Sequence, residues 1–395
     1  MKTANCLFIL FLAVLVVLTS IIPVQAIEIV KSIPYNGPPI MAYDSYKGAV
    51  WVTTDYSYTN ELGMPLSKPT NTIAAISDSN YKVLANVTVG QNPVSIAYAS
   101  ALHEIYVANQ GSGTISVISD ASNSVMATID LNKNSGQGDR GIGFIVYDSG
   151  RGEIFVGSYD YSTLTAEVLV ISETTKQVVE TIPLGDGPPP SRLIYDSGKG
   201  EIYIYREKNR PGENPIHFLS VISDATNSVI ATVPLDSGIG AAGAYDAVTG
   251  EIYLPSNRSV LVISDKTHTV IDSIPLEYNP ICVAYDPVKS VLFAGTALNT
   301  TYIISDKTRS VIETVPISSV FMVYDSGKNL MLAMGNSSIQ FVSDASLPSV
   351  SPTSTIPEFP WLAVLPLLFA LLLVALKLRH PCNWIPRVTK GPLAN

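Results

Sequence analysis

The segment GAAGAYDAVTGEIYLPSNRSVLVISDKTHTVIDSIPL, residues 240–276, decides the fold of this chain. It divides into four short runs rich in β-branched and aromatic residues: GAAGAYD, GEIYLP, SVLVISD and HTVIDSIPL. Gly, Asn, Asp and Pro bound these runs, which is typical of β-strands joined by tight turns. We label the four predicted strands a, b, c and d.

Two signatures of this segment recur seven times along the chain in strict alternation. The first is Ile-Ser-Asp or a close variant, and it ends at Asp78, Asp120, Glu173, Asp224, Asp265, Asp306 and Asp344. The second is an apolar residue before Tyr-Asp, with Tyr43, Tyr98, Tyr147, Tyr195, Tyr245, Tyr285 and Tyr324. Only the second copy has another residue, Ala99, in place of the Asp. Four strands per unit, at intervals of 38–53 residues, predict a β-propeller of seven blades.

The two ends of the repeat region favour a closed ring over an open solenoid, which is the alternative. The seventh unit stops after QFVSD at residue 344 and has no strand d of its own. The segment IEIVKSIPYNGPP from Ile27 resembles a strand d with its exit turn, as in VIDSIPLEYNP from Val270. A strand d moved to the front completes a blade only if the first and last blades meet. We therefore predict an all-β propeller at residues 27–344, closed by its N-terminal strand.

The repeated carboxylates are expected to stabilise turns rather than to bind a ligand. Each Asp lies at the end of a predicted strand and is usually followed by a small or polar residue. In that position its side chain can accept hydrogen bonds from turn amides, as in an Asx-turn.

The first 26 residues have the features of a secretory signal peptide. Met1 and Lys2 precede an apolar run from Cys6 to Leu18, and Val24-Gln25-Ala26 supplies small residues at a cleavage point. A charged start, a short apolar core and small residues at the cleavage site are typical of such peptides. An uncleaved membrane anchor is the alternative, and we expect cleavage after Ala26.

A second apolar run, from Trp361 to Leu376, predicts a transmembrane helix at residues 359–378. The run is Leu-rich on all sides and has no polar face, and it lies after a low-complexity linker, outside every repeat. These features favour a transmembrane helix over a buried core helix, which is the alternative. A Ser/Thr/Pro linker at residues 345–358 precedes the helix, and a tail at residues 379–395 follows it.

Charge orients this helix and limits the partners of the propeller. Four basic residues (Lys377, Arg379, Arg387 and Lys390) and no acidic residue follow the apolar run, so the positive-inside rule predicts a cytoplasmic tail and a single-pass protein of the cell membrane. The extracellular part has 19 basic and 33 acidic side chains, a net charge of about −14. A surface this acidic argues against nucleic acid as a partner.

Candidate catalytic groups are few and scattered. The propeller histidines, His103, His217 and His268, lack metal-ligand spacing, and Cys282 is the one cysteine of residues 27–344. The letters GIGAAG at residues 238–243 match Gly-x-Gly-x-x-Gly, but they precede a strand, so we expect a turn there. We therefore predict no catalysis, no metal and no cofactor.

Strand alternation assigns the connections to two faces. The a–b and c–d turns, such as YDSGKGE and SDATNS, form the turn face, and the b–c and d–a connections form the loop face. Long connections occur only on the loop face, at residues 55–71, 132–141, 185–192 and 206–218. Variable loops on a rigid frame are common binding sites. The candidate binding residues there are basic: Arg140, Arg192, Arg206, Lys208 and Arg210. Solvated loop charge is the alternative interpretation.

Four Asn-x-Ser/Thr tripeptides are candidates for N-glycosylation. They begin at Asn86, Asn257, Asn299 and Asn336. The last three lie in the predicted b–c connections of blades five, six and seven. The loop face is thus expected to divide into long loops over blades one to four and glycans over the other three.

Residues 105–131, IYVANQGSGTISVISDASNSVMATIDL, resemble the repeat of the YVTN-type β-propeller proteins, with Ala108 in place of the motif Thr. The resemblance extends over about residues 27–344, and it implies a propeller on a microbial, especially archaeal, surface but no particular activity. Pro357-Glu358-Phe359-Pro360, followed by the apolar run and basic residues, is similar to PEF-type sorting signals of archaeal surface proteins. The tail from Pro381 to Asn395 is longer than such signals usually have, so a retained anchor and a processed one both remain open.

Two functions follow from these observations. The first is a cell-surface adhesion or envelope-structural module that binds protein or glycan through the loop face. The alternative is an extracellular enzyme, lactonase- or lyase-like, with a metal ion on the propeller axis.

Overall fold

The computed structural model describes residues 27–35, 40–54, 56–59, 65–68, 71–132, 140–188, 190–208, 212, 214–335, 337–343, 345 and 347. These residues form 30 β-strands and, within the described ranges, no helix. No helix able to span a membrane occurs among them. The predicted signal peptide, transmembrane helix and tail lie outside the described residues.

Seven four-stranded antiparallel sheets confirm the predicted all-β, seven-bladed propeller. Blade one consists of β2 (Met41–Asp44), β3 (Ala49–Thr53), β6 (Thr72–Ser77) and β7 (Val83–Thr88). Blade two consists of β8 (Pro93–Ala99), β9 (Glu104–Asn109), β10 (Thr114–Ser119) and β11 (Ser124–Asp130). Blade three consists of β12 (Arg140–Asp148), β13 (Glu153–Asp160), β14 (Thr165–Ser172) and β15 (Val178–Asp186). Blade four consists of β16 (Leu193–Asp196), β17 (Glu201–Lys208), β18 (Ile216–Ser223) and β19 (Ser228–Leu235). Blade five consists of β20 (Ala244–Asp246), β21 (Glu251–Ser256), β22 (Ser259–Ser264) and β23 (Thr269–Pro275). Blade six consists of β24 (Cys282–Asp286), β25 (Val291–Gly295), β26 (Thr301–Ser305) and β27 (Ser310–Val315). Blade seven consists of β28 (Phe321–Asp325), β29 (Leu330–Met334), β30 (Ser338–Ser343) and β1 (Glu28–Pro34), and a separate hairpin, β4 (Tyr56–Thr59) with β5 (Pro65–Lys68), lies in the b–c connection of blade one.

The N-terminal strand closes the ring, as predicted. Strand β1 pairs antiparallel with β30, from Glu28 opposite Ser343 to Pro34 opposite Ser338. The next residue, Tyr35, donates a hydrogen bond from its hydroxyl to the main-chain oxygen of Thr53 in blade one, at 2.6 Å. The first strand therefore belongs to the last blade and is tied to the first.

The core lies between neighbouring blades. The third residue of strand b is aromatic in six blades and leucine in the seventh, and each is almost completely buried: Trp51, Tyr106, Phe155, Tyr203, Tyr253, Phe293 and Leu332. Burial of such a side chain stabilises the fold by about 1.5–3 kcal/mol. Because both faces of strand b are covered, its residues are apolar in succession rather than in alternation.

The a–b turns of the turn face are built on the repeated Asp of Tyr-Asp. In Asp44, Asp148, Asp196, Asp286 and Asp325, Oδ1 accepts main-chain N–H groups of the residues two and three positions later. Asp246 accepts the N–H of Val248 and the hydroxyl of Thr249. These carboxylates are fully buried. The prediction that they stabilise turns is confirmed.

The fourth residue after the Asp has left-handed backbone geometry, and Gly200 shows why glycine is common there. Its φ is +66°, and a Cβ at this position would lie 2.2 Å from Oδ2 of Asp224 in the c–d turn. Any side chain would therefore displace the carboxylate of that turn.

The outer strand d has a register irregularity at the same place in all seven blades. The residues skipped in the pairing are apolar: Val30, Leu84, Met126, Val179, Ile230, Ile271 and Ile312. All seven are exposed. A β-bulge on an outer strand interrupts the ladder that another chain would need for edge-to-edge pairing.

Strand a of blade five is shorter than the run GAAGAYD predicts, because β20 contains only Ala244–Asp246. The preceding residues turn towards blade six, where the N–H of Val283 donates to the oxygen of Ala242 at 2.9 Å. A Cβ on Gly240 would lie 2.3 Å from the oxygen of Ile281, so only glycine permits this approach. Residues 238–243 thus form a connection before a strand, in line with the turn expected there.

Candidate functional site

The loop face varies in length, whereas the turn face does not. Every a–b turn has four residues between its strands. On the loop face, strands b and c of blades three and four have eight residues each, whereas those of the other blades have five or six. Blades three and four therefore project further, and blade one adds the β4–β5 hairpin. The candidate binding surfaces lie on this uneven face.

Arg206, near the loop-face end of β17, is built into the frame. It is only 7% exposed. Its guanidinium donates to the main-chain oxygens of Leu184 at 2.6 Å and Asp186 at 3.0 Å, both on the outer strand of blade three. The guanidinium carbon also lies 5.4 Å from the ring centre of Phe218. Burial lowers the pKa of Arg206. This side chain joins blades three and four.

Arg192 also makes its hydrogen bond within the protein. Its Nε donates to the oxygen of Gly240 at 2.7 Å, which joins the connection before blade four to the connection before blade five. The guanidinium carbon lies 5.0 Å from the ring centre of Phe144. Burial lowers the pKa of Arg192 as well.

The remaining predicted basic residues differ in their surroundings. Arg140 begins β12, and its Nε lies 3.3 Å from Oε1 of Glu167, so its charge is paired within blade three. Lys208 ends β17 and is half-buried. Arg210 lies outside the described residues. The structure thus gives three of the five a partner in the protein, and a binding role for the group stays a prediction.

A groove with a volume of about 640 Å³ lies on the loop face between blades five and six. It is bounded by the b–c turn of blade five, the connection between the two blades and the b–c connection of blade six. Its lining includes the side chains of Arg258, Glu277, Tyr278, Asn279, Ile281 and Leu298.

The groove combines apolar surface with polar groups. Leu298 is 63% exposed and Tyr278 is 38% exposed, although both are large and apolar in part. Asn279 accepts the N–H of Arg258 through Oδ1 at 3.0 Å, which fixes one wall to the other. A hydrogen bond to the Glu277 carboxylate raises the pKa of Tyr278. An aromatic ring flanked by a carboxylate, an amide and a guanidinium can stack on a ligand and hydrogen-bond to it.

Two of the predicted glycosylation sites border this groove. Asn257 precedes Arg258, Asn299 follows Leu298, and both asparagines are exposed. Asn86 is exposed on β7, the outer strand of blade one. Asn336 lies outside the described residues.

The sequence interpretation missed the groove, since Tyr278 and Leu298 belong to no motif. A usable signal was present, because two consecutive sequons enclose a stretch with a tyrosine, a carboxylate and an amide.

The histidines are occupied by structural contacts. Within the described ranges, no three His, Cys, Asp or Glu side chains are grouped so as to hold a metal ion. His103 and His217 lie at hydrogen-bond distance from Tyr98 and Tyr205, and His268 from Glu201.

Cys282 is completely buried, and burial raises the pKa of its thiol. A thiol held protonated is a poor nucleophile and a poor metal ligand.

The sequence matches no known protein-family profile, and no curated protein matches it. The resemblance to YVTN-type repeats therefore rests on the quoted residues alone, and the fold is established by the seven sheets.

Proposed function

We propose that this protein is a non-catalytic cell-surface propeller that binds protein or glycan through its loop face, in adhesion or in an envelope layer. The groove between blades five and six carries this proposal. Leu298, 63% exposed, and Tyr278, 38% exposed, line a concave site there together with polar side chains.

The chemistry of the groove favours a saccharide as ligand. A tyrosine ring packs against the C–H face of a pyranose, and carboxylate, amide and guanidinium groups hydrogen-bond to its hydroxyls. Tyr278, Glu277, Asn279 and Arg258 supply this set within one connection and one turn. A volume of about 640 Å³ is large enough for more than one sugar residue.

The proposed location rests on the sequence of the two termini. The signal peptide, the basic tail after residues 359–378 and the sequons all favour an extracellular propeller anchored in the cell membrane. The YVTN-type and PEF-type resemblances favour the same placement.

The test is binding of the purified full-length protein, in detergent, to an array of glycans that includes those of its own cells. Tyr278→Ala should abolish the signal that the wild type gives. Tyr161→Ala is the matched control, because Tyr161 is also an exposed tyrosine on the loop face, in blade three. Equal binding by both variants and the wild type would exclude the groove. A stoichiometric metal ion found by elemental analysis would instead favour the enzyme alternative.

A further inference from the structure

The outer strand d of each blade carries two consecutive apolar residues near its turn-face end, which we call the apolar pair. The second member is the residue skipped in the pairing with strand c, and the first member precedes it: Ile29, Val83, Val125, Val178, Val229, Val270 or Val311. Val178 is half-buried, and all other members of the pairs are exposed. The pairs supply more than half of the large apolar side chains that are exposed within the described ranges. Apolar exposure concentrated in this way on the rim of the propeller is typical of an interaction surface.

The residues that flank the apolar pair distinguish blade seven from the other blades. Its sequence is Glu28-Ile29-Val30-Lys31, so that an acidic residue precedes the pair and a basic residue follows it. The flanking residues of blades one to six are Lys82 and Ala85, Ser124 and Ala127, Gln177 and Glu180, Ser228 and Ala231, Thr269 and Asp272, and Ser310 and Glu313. Blade seven alone thus has opposite charges on the two sides of its pair.

These two charges are accessible to a partner. Glu28 and Lys31 are both exposed, and no ion pair formed by either of them occurs within the described ranges. Asp272, which takes the place of Lys31 in blade five, is instead held by Arg309 at 2.9 Å. The outer strand of blade seven therefore presents an anion, two apolar side chains and a cation that the propeller itself does not use.

The backbone of β1 is less suited to binding another chain than its side chains are. Strand β1 pairs with β30 on one side and forms the edge of its sheet on the other. The register shift between Ile29 and Lys31 interrupts the ladder that an added strand would need. A partner is therefore expected to contact this strand through the side chains of residues 28–31.

The order acidic, apolar, apolar, basic is complementary to itself when two copies run in opposite directions. A two-fold axis between Ile29 and Val30 places Glu28 of each copy opposite Lys31 of the other and brings the two apolar pairs together. Two ion pairs then flank an apolar centre, which is the common anatomy of a protein interface. Two copies running in the same direction would instead bring like charges together.

We propose that the protein forms a two-fold symmetric dimer through β1 of blade seven, so that the partner on this surface is a second copy of the chain. Blades six and one adjoin blade seven in the ring, and their apolar pairs extend the apolar surface on both sides. The contact lies on the rim and does not include the loop-face groove. The dimer and the proposed glycan binding can therefore be tested separately.

The test is sedimentation of the purified full-length protein in detergent, at low ionic strength and over a range of concentrations. The wild type should form dimers that dissociate on dilution. Glu28→Lys and Lys31→Glu each bring like charges together at both ion pairs, so each should raise the dissociation constant about tenfold or more. The double variant exchanges the two charges and should restore the wild-type constant. An equimolar mixture of the two single variants should also associate, because each copy then meets the opposite charge.

Blade three supplies the matched controls. Val30→Asp should abolish the dimer, because it places a carboxylate in the apolar centre, whereas Val179→Asp at the equivalent place should leave the dimer unchanged. Glu180→Lys, which is equivalent to a substitution of Lys31, should also leave it unchanged. Monomers at every concentration, dimers that tolerate both single charge reversals, no rescue by the double variant, or an equal loss in the blade-three variants would each overturn the proposal.

Discussion

The turn face and the loop face are formed by the same strands, yet they use their side chains differently. Each a–b turn has four residues, and in six of the seven blades a fully buried Asp is hydrogen-bonded to the turn. The b–c connections range from the two residues between β21 and β22 to the segment that contains the β4–β5 hairpin. The repeated turn face therefore stabilises the fold, and the varied loop face is the one through which we propose that a ligand binds.

One pair of aspartates shows that the two faces differ in the burial of their turns rather than in the hydrogen bonds that the turns contain. Asp196 on the turn face and Asp160 on the loop face both accept the N–H groups of the residues two and three positions later. Asp196 is completely buried, whereas the turn at Asp160 is exposed to water. If the carboxylate of Asp160 were removed, water could accept the hydrogen bonds of its turn amides. Water could not do so at the buried turn of Asp196.

Arg206→Ala should cause the largest loss of stability. It tests the comparison at a residue of the loop face that is almost completely buried. The change removes two charge-assisted hydrogen bonds to main-chain oxygens and the packing against Phe218, at a cost of about 3 kcal/mol in the free energy of unfolding. Urea denaturation monitored by circular dichroism measures it. Lys208→Ala, two residues further along the strand, should cost less than about 0.5 kcal/mol. Similar values for both variants would show that Arg206 is not structural.

Gly200→Ala should be next, at about 2–3 kcal/mol, because a left-handed φ and contact with Asp224 both penalise a methyl group. Gly185 on the loop face is the matched control, since its φ is +77° and a Cβ there would meet nothing within 4 Å. Gly185→Ala should cost only the backbone term, about 1 kcal/mol. Equal losses in thermal denaturation would mean that the Asp224 contact has no energetic weight.

Asp196→Ala should destabilise the protein by about 2 kcal/mol, because it leaves two turn amides without their acceptor. Asp160→Ala removes the same type of hydrogen bond from an exposed turn and should cost less than about 1 kcal/mol. Chemical denaturation of both variants gives the difference directly. A larger loss for Asp160→Ala would reverse the proposed contrast between the faces.

The smallest expected effect is a pH dependence. Burial, and then the carboxylate of Asp148, raise the pKa of Asp224 to about 6. The folded state thus binds this proton more tightly than the unfolded chain does, so stability should rise as the pH falls from about 7 to about 4. Asp224→Asn should raise the free energy of unfolding by about 1 kcal/mol at pH 7, with solvent screening taken into account. The variant should also lose this dependence of stability on pH.

Asp160 on the loop face should give the opposite pH dependence of stability. Hydrogen bonds from Ser162 lower its pKa, so its contribution should be lost on acidification below about pH 4. Melting temperatures across this pH range compare Asp160→Asn with Asp224→Asn. Parallel pH slopes for the two variants would contradict the assignment of opposite shifts.

The fold could be predicted from sequence because its signals repeat. The Tyr-Asp and Ile-Ser-Asp pairs mark two turns in each unit, and the likeness of residues 27–39 to a strand d predicted the closure that β1 and β30 show. The Asx role of Asp196 and its equivalents also followed from local chemistry. The place of a residue within the repeat was therefore enough to predict these features, and no contact between distant residues had to be known.

The sites could not be predicted in the same way, because they depend on contacts across blades. Arg206 was a candidate for ligand binding on charge alone, and only the fold places it against the oxygens of Leu184 and Asp186. The groove at Tyr278 arises from three connections that are separate in sequence.

The pairing of β1 with β30 joins segments roughly 300 residues apart, which has a consequence for biosynthesis. The first strand is made first, but its partner exists only after almost the whole propeller has been translated. At about 5–20 residues per second, β1 waits for about 15 seconds or longer with its apolar residues unpaired. A contact of such high sequence separation is also slow to form. Closure of the ring by β1 should therefore be a late step of folding.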